Sequence, residues 1–168
     1  MENKLIPSPS GQPSSSFWFM NKIVNPMMRL ILRSPLHGML SESLLLITYH
    51  GRRTGKEYSL PVQYVKTGNS VTIVPGMPEQ KIWWRNLQES APVQLTLRGQ
   101  HVAGTARVLK PETDSEAILE GFGLYLRHFP ALIKSHNIPM AADGSFNAEG
   151  LRRAAAQAVI IRVELNQP

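Results

Sequence analysis

Leu44-Leu45-Leu46-Ile47-Thr48-Tyr49-His50-Gly51-Arg52-Arg53-Thr54-Gly55-Lys56-Glu57-Tyr58-Ser59-Leu60-Pro61-Val62-Gln63-Tyr64-Val65 reads as two strands joined by a basic turn. The apolar run at the start has the character of a buried strand, and Tyr58 to Val65 alternates like a second one. Gly51 and Gly55 let the backbone between them enter left-handed conformations. Such bends can aim successive amide N–H groups at one anion. Arg52, Arg53 and Lys56 add three cationic heads, the guanidinium forks matching phosphate oxygens in pairs and the lysine acting as a point charge. A phosphate-bearing ligand is one reading of this turn. A hairpin tip kept soluble by its charge is the other, and so short a motif does not by itself choose between them.

Downstream, Thr67-Gly68-Asn69 signals a turn and Val71 to Val74 a third strand, stopped by Pro75-Gly76-Met77-Pro78. A short helix is expected over Glu79 to Glu89, carrying the tandem Trp83-Trp84. Adjacent helical residues point about 100° apart, so the two rings cannot share one core site. Val93 to Leu97 and His101 to Leu109 form a hairpin across Arg98-Gly99-Gln100. A T-x-x-E capping box at Thr113 and Glu116 predicts a helix from about Asp114 to Leu126. Phe129 to Asn147 is punctuated by Pro and Gly and receives no assignment; Glu149 to Ala156 forms a helical turn or two. Ala158 to Leu165 alternates as a last strand. About six strands at short spacing, mostly hairpin-linked, give an α+β chain that is mainly β, an antiparallel barrel with peripheral helices.

Upstream, Pro7 to Ser16 consists of Pro, Ser, Gly and Gln alone. Residues 1–16 are read as a disordered tail without the apolar core of a signal peptide, and residues 17–168 as a single domain. Between Phe17 and Leu32 the polar residues are too frequent for a spanning helix. Asn25-Pro26 instead divides the stretch into two short helices. Their expected role is to cover a barrel end or an oligomer interface, with peripheral docking to a membrane surface as the alternative.

The net charge of +6 points to anionic partners. The cations outside the turn are scattered rather than interleaved with aromatics along one surface, which argues against nucleic acid. No cysteine is present, so thiolate chemistry and cysteine-ligated metal are excluded and a reducing cytosol is permitted. His37, His50, His101, His128 and His136 lie at no metal-ligand spacing. No G-x-S-x-G, no G-x-G-x-x-G and no clear carboxylate pair occurs, so catalysis would have to be carried by a cofactor.

Leu44-Leu45-Leu46, Gly51-Arg52-Arg53-Thr54-Gly55, Pro61-Val62-Gln63-Tyr64-Val65, Ile73-Val74-Pro75-Gly76, Trp83-Trp84-Arg85-Asn86-Leu87 and Ala91-Pro92-Val93, in this order, resemble the deazaflavin-dependent nitroreductase and quinone reductase family. The resemblance spans roughly residues 30 to 110. It implies a split β-barrel of the flavin-binding type that binds coenzyme F-420, an 8-hydroxy-5-deazaflavin, and passes hydride to a small-molecule acceptor, a quinone or nitroaromatic. By the same resemblance Arg52, Arg53 and Thr54, with Gly55 and Lys56, hold the phosphate. Tyr58, Pro61, Val62 and Gln63 line the cofactor groove, and Pro75, Gly76, Ile82, Trp83 and Trp84 flank the ring. Lys81 stands where family members often carry a longer loop, and is a further phosphate or tail ligand. Where some members place substrate-facing tyrosines, this chain reads Arg127-His128-Phe129-Pro130. A homodimer, in the cytoplasm or peripheral to the inner face of the membrane, is the expected form. A flavin mononucleotide enzyme of similar barrel, and a non-catalytic cofactor carrier or redox sensor, remain open alternatives.

Overall fold

The computed structural model describes residues 42–141 and 143–166. The expected tail and the two helices before Leu32, with their membrane contact, lie outside the described residues, as does His37. Seven strands form one sheet: β1 (Leu44–His50), β2 (Glu57–Gln63), β3 (Val65–Thr67), β4 (Ser70–Ile73), β5 (Ala91–Leu97), β6 (Gln100–Val108) and β7 (Ile161–Leu165). Their order is β2-β1-β5-β6-β7-β4-β3, with every neighbouring pair antiparallel.

The two edge strands of this ladder, β2 and β3, are consecutive in sequence and separated only by Tyr64. A flat sheet would hold its edges six strand spacings apart, so the sheet must curl until they meet at that residue. Tyr64 is accordingly buried at 3% exposure, and its amide donates to the Ser43 carbonyl (3.3 Å). No ladder joins β2 to β3, which leaves the barrel split along this seam. The single strand expected over Tyr58 to Val65 is therefore two, broken where the chain crosses from one edge to the other.

The period-two pattern fills the barrel. Leu45, Ile47 and Tyr49 of β1 meet Val93, Leu95 and Leu97 of β5, Val71 and Ile73 of β4, and Ile161, Val163 and Leu165 of β7 in one buried cluster. A second cluster lies outside it. There α1 (Pro111–His128) contributes Ile118, Phe122 and Leu126, α3 (Ala148–Gln157) contributes Ala154 and Ala155, and Leu109, Ile138 and Ile160 complete it. Ile160 and Ile161 point into different cores, as alternation at a strand entry requires.

Two helices differ from expectation. The segment over Glu79 to Glu89 is a 3-10 helix, Ile82–Leu87, whose N-cap position Lys81 offers no side-chain acceptor. The Asn86 amide also reaches back to the carbonyl of Trp83, three residues earlier, which suits the tighter winding. In α1 the capping box is replaced by another device. The helix starts at Pro111, whose fixed φ suits the first helical position. Asp114, at φ −121° and ψ 24°, departs from helical geometry and accepts from the Lys110 amide (2.9 Å) and from both terminal nitrogens of Arg107 (2.8 Å each). The unassigned stretch before α3 contains a short helix α2 (Ala131–Ser135) and an isolated bridge between Met140 and Phe146.

Candidate functional site

The β1–β2 turn closes on itself. Gly51 donates to Lys56 O (2.8 Å), while Gly55 and Thr54 donate to Gly51 O (2.8 and 3.3 Å). The Lys56 amide donates to Thr54 Oγ1 (3.3 Å), and the Arg52 amide to Asn86 Oδ1 (3.0 Å). Gly55 takes φ +64°, and a Cβ on Gly51 would come within 2.9 Å of Thr54 Oγ1 and of the Tyr58 ring, so both glycines are required. Five amides of the turn are thus already donating within the protein. The expectation that they converge on an anion gives way to one in which side chains do the gripping. Arg52, Arg53 and Lys56 are exposed, and neither Arg53 nor Lys56 forms an ion pair among the described residues. Arg52 lies 3.5 Å from Glu89, both side chains largely in solvent.

The 3-10 helix stands beside this turn, joined to it by Asn86. An aromatic ladder runs between the two: Trp83 lies 6.1 Å from Tyr49, which stacks on Tyr58 at 5.7 Å and 23°. Tyr49 is buried while Tyr58 is 43% exposed, so the ladder passes from the barrel interior to the surface. Burial, and secondarily Tyr58, raises the Tyr49 phenol above its ordinary pKa. Both tryptophans are half-buried against the barrel core, as two rings pointing in different directions must be. The Trp84 indole donates to Pro78 O (2.9 Å), and Arg85 lies over its face at 5.7 Å. Pro75 is buried, Gly76 exposed and Lys81 half-buried. Ile82 is exposed, together with Met77 at φ +53°.

The other end of β2 is built differently. Gln63 lies six residues from Glu57, roughly 20 Å along the strand. Its Oε1 accepts from the Tyr125 hydroxyl (3.3 Å), which also reaches Val74 O (3.4 Å), so α1 ties the β2 edge across the seam to the chain leaving β4. Burial pushes the Tyr125 phenol far above its usual range, and Phe129 packs on its ring at 4.8 Å.

The residues expected at the site therefore fall into groups. Arg52, Arg53, Thr54, Gly55, Lys56, Tyr58, Ile82, Trp83 and Trp84 are brought together by Asn86 and Tyr49. Gln63 is not among them. Val62 belongs to the barrel core, so the structure offers its backbone rather than its side chain to a ligand. Asn86, Tyr49 and Glu89 beside the turn, and Tyr125 at the far end of β2, were not among the expected residues. Asn86 had a signal, its place next to the tandem Trp, whereas Tyr125 sits inside a helix with nothing to mark it. Ser59 Oγ, midway along β2, is buried without a hydrogen-bond partner among the described residues. An open cavity of about 580 Å³ lies elsewhere, by Tyr64, Lys66, Arg98 and His128, and no expected site residue lines it. Among the described residues no group of His, Cys, Asp and Glu could hold a metal ion.

This split barrel has counterparts in known proteins. Residues 32–121, more than half of the chain, match the model of a family described as F420H(2)-dependent quinone reductase. The chain belongs to this family. It is an oxidoreductase, with reduced coenzyme F-420 as its hydride donor and quinones as the family's acceptors. Two solved structures share the fold. One, described as a domain-swapped dimer, is 16% identical with TM-score 0.53 and covers 90% of this chain and 100% of its own. The other is an F420-H2 dependent reductase, FDR-A, 14% identical with TM-score 0.50 over 74% of this chain and 94% of its own. No curated protein matches the sequence significantly. The residues present fit this cofactor: Arg53 and Lys56, without an ion-pair partner among the described residues, suit a phosphate, and half-buried aromatic rings suit a flat ring.

Proposed function

We propose that this quinone reductase holds coenzyme F-420 along the β1–β2 turn and the β2 edge. In this reading Arg53, Lys56 and Arg52 grip the phosphate, with Thr54 Oγ1 as a further donor. Tyr58, Ser59 and Pro61 line the groove. Pro75, Gly76, Ile82, Trp83 and Trp84 flank the ring, and Lys81 meets the tail. The observation that carries this is the joining of the cationic turn to the Trp helix through Asn86, which brings the two halves expected of the site to one place.

Bound there, the cofactor supplies the hydride. The residues supply position and exclude water. In this reading no acid–base pair is required, so the chain's contribution is to hold donor and acceptor at near-attack distance, about 3–3.5 Å, between aromatic walls. A quinone is the acceptor that fits, because a backbone N–H or solvent suffices to stabilise the oxyanion that forms on it; nitroaromatics are a slower second class. The solved neighbour described as a domain-swapped dimer supports a homodimer for this chain. No helix among the described residues is long and apolar enough to cross a membrane. The absence of cysteine suits a reducing cytosol, where this reading puts the enzyme.

Arg52→Ala and Arg53→Ala test the assignment. Loss of a hydrogen bond to a charged group is worth about 1.5–3 kcal/mol, or roughly 10- to 150-fold in affinity. Each variant should lose F-420 affinity in that range, measured by fluorescence titration, while its melting temperature stays close to the parent's. Unchanged dissociation constants in both would remove the turn from the site.

A further inference from the structure

We infer that Asn86 is a positioning residue that sets the phosphate-gripping turn relative to the ring wall. Its Nδ2 donates to the carbonyl of Trp83 (2.9 Å), within its own 3-10 helix. That bond fixes the amide orientation and leaves Oδ1 facing outward, where it accepts from the backbone amide of Arg52 (3.0 Å), thirty-four residues away in sequence. One planar group therefore meets the main chain of both halves of the site. Beside it the Tyr49 ring packs against both Trp83 (6.1 Å) and Tyr58 (5.7 Å), which keeps the two halves near each other without fixing the backbone direction of the turn. The Arg52 guanidinium and Glu89 are separated by 3.5 Å and largely solvated, so they set no geometry. The turn's remaining backbone bonds, from Gly51, Thr54 and Gly55, are internal to it. They fix its shape but not its direction.

The inference rests on the assignment of the turn to the cofactor phosphate, and its consequence is specific. With Asn86 removed, the turn keeps its form and charge and the ring packing through Tyr49 remains, while the hydrogen bond that fixes the turn's backbone against the Trp helix is lost. Affinity should then fall for a ligand that spans turn and wall, and hold for one that touches the wall alone. Two probes make that distinction: F-420 itself, and the deazaflavin ring with its ribityl chain but no phosphate.

Asn86→Ala should weaken F-420 binding about ten-fold, the loss of one hydrogen bond in a site that needs alignment, and the phosphate-free riboside by no more than about two-fold. Asn86→Asp changes the shape least and guards against misfolding of the alanine variant. It keeps an acceptor for the Arg52 amide but turns a carboxylate oxygen toward the Trp83 carbonyl and adds a charge beside the anion. Its loss of F-420 affinity should therefore be larger at low salt than at high salt, again with the riboside spared. A purely structural role would lower both affinities by the same factor, and that outcome in both variants overturns the inference while the phosphate assignment stands. A parent protein that does not prefer F-420 over the riboside overturns the assignment and the inference with it.

Discussion

Arg52 is the residue where charge and geometry pull in different directions. Its amide is fixed by Asn86, but its guanidinium rests near Glu89 at 3.5 Å, a pair that a phosphate would have to displace. Exposed pairs of this kind contribute about 0–1 kcal/mol, so the competition is mild. Glu89→Gln removes it, along with a negative charge beside the turn. Titration with F-420 should show affinity rising by up to about five-fold, with the gain shrinking as salt is added; weaker binding would mean that Glu89 helps to hold the cofactor. The cationic residues themselves were legible in the sequence, because charge between two glycines on a strand-linking turn needs no tertiary information. What the amides of that turn do was not. Whether an N–H points at a ligand or at an oxygen of the protein depends on closure of the loop and on what packs beside it, and here four donate within the turn and the Arg52 amide donates to Asn86.

At the scale of elements, strands were easier to read than helices. The hairpins β1–β2 and β5–β6 follow from alternation and turn residues, both local properties. The start of α1 depends on Arg107 of β6, brought beside Asp114 by the fold of the intervening chain. The capping box could not register that competitor. Arg107, first, and the Lys110 amide hold the Asp114 carboxyl far below the usual carboxylate range. With the folded pKa below the unfolded one of about 4, the stabilising contribution is present above roughly pH 4 and is lost progressively as pH falls below it. Asp114→Asn should therefore melt below the parent at pH 7, with the gap narrowing at pH 3 and further at pH 2. A gap independent of pH would mean that the hydrogen-bond geometry matters and the charge does not. The 3-10 helix shows the same limit of local reading: a short helix was expected after Pro75-Gly76-Met77-Pro78, but its tighter winding, with Asn86 Nδ2 on the carbonyl of Trp83, was not.

At the scale of the whole molecule, the barrel was visible as a class, but its seam was not. Tyr58 to Val65 looks like one strand because its alternation is continuous; only the ladder order shows that Tyr64 divides two opposite edges of the sheet. That division leaves β2 at the edge of the sheet among the described residues, and the proposed function seats the long anionic cofactor along this edge beside the cationic turn. Gln63 and Tyr125 close the far end of this edge, and Asn86 fixes the near end. In the proposed function this arrangement delivers hydride from reduced F-420 to a quinone. Stopped-flow oxidation of reduced F-420 by menadione, with enzyme in excess of cofactor, measures it directly. Rapid loss of the reduced cofactor is expected, dependent on the quinone, slower with a nitroimidazole in its place, and abolished on combining Arg52→Ala with Arg53→Ala. Tight binding of reduced F-420 without oxidation by any quinone would contradict it.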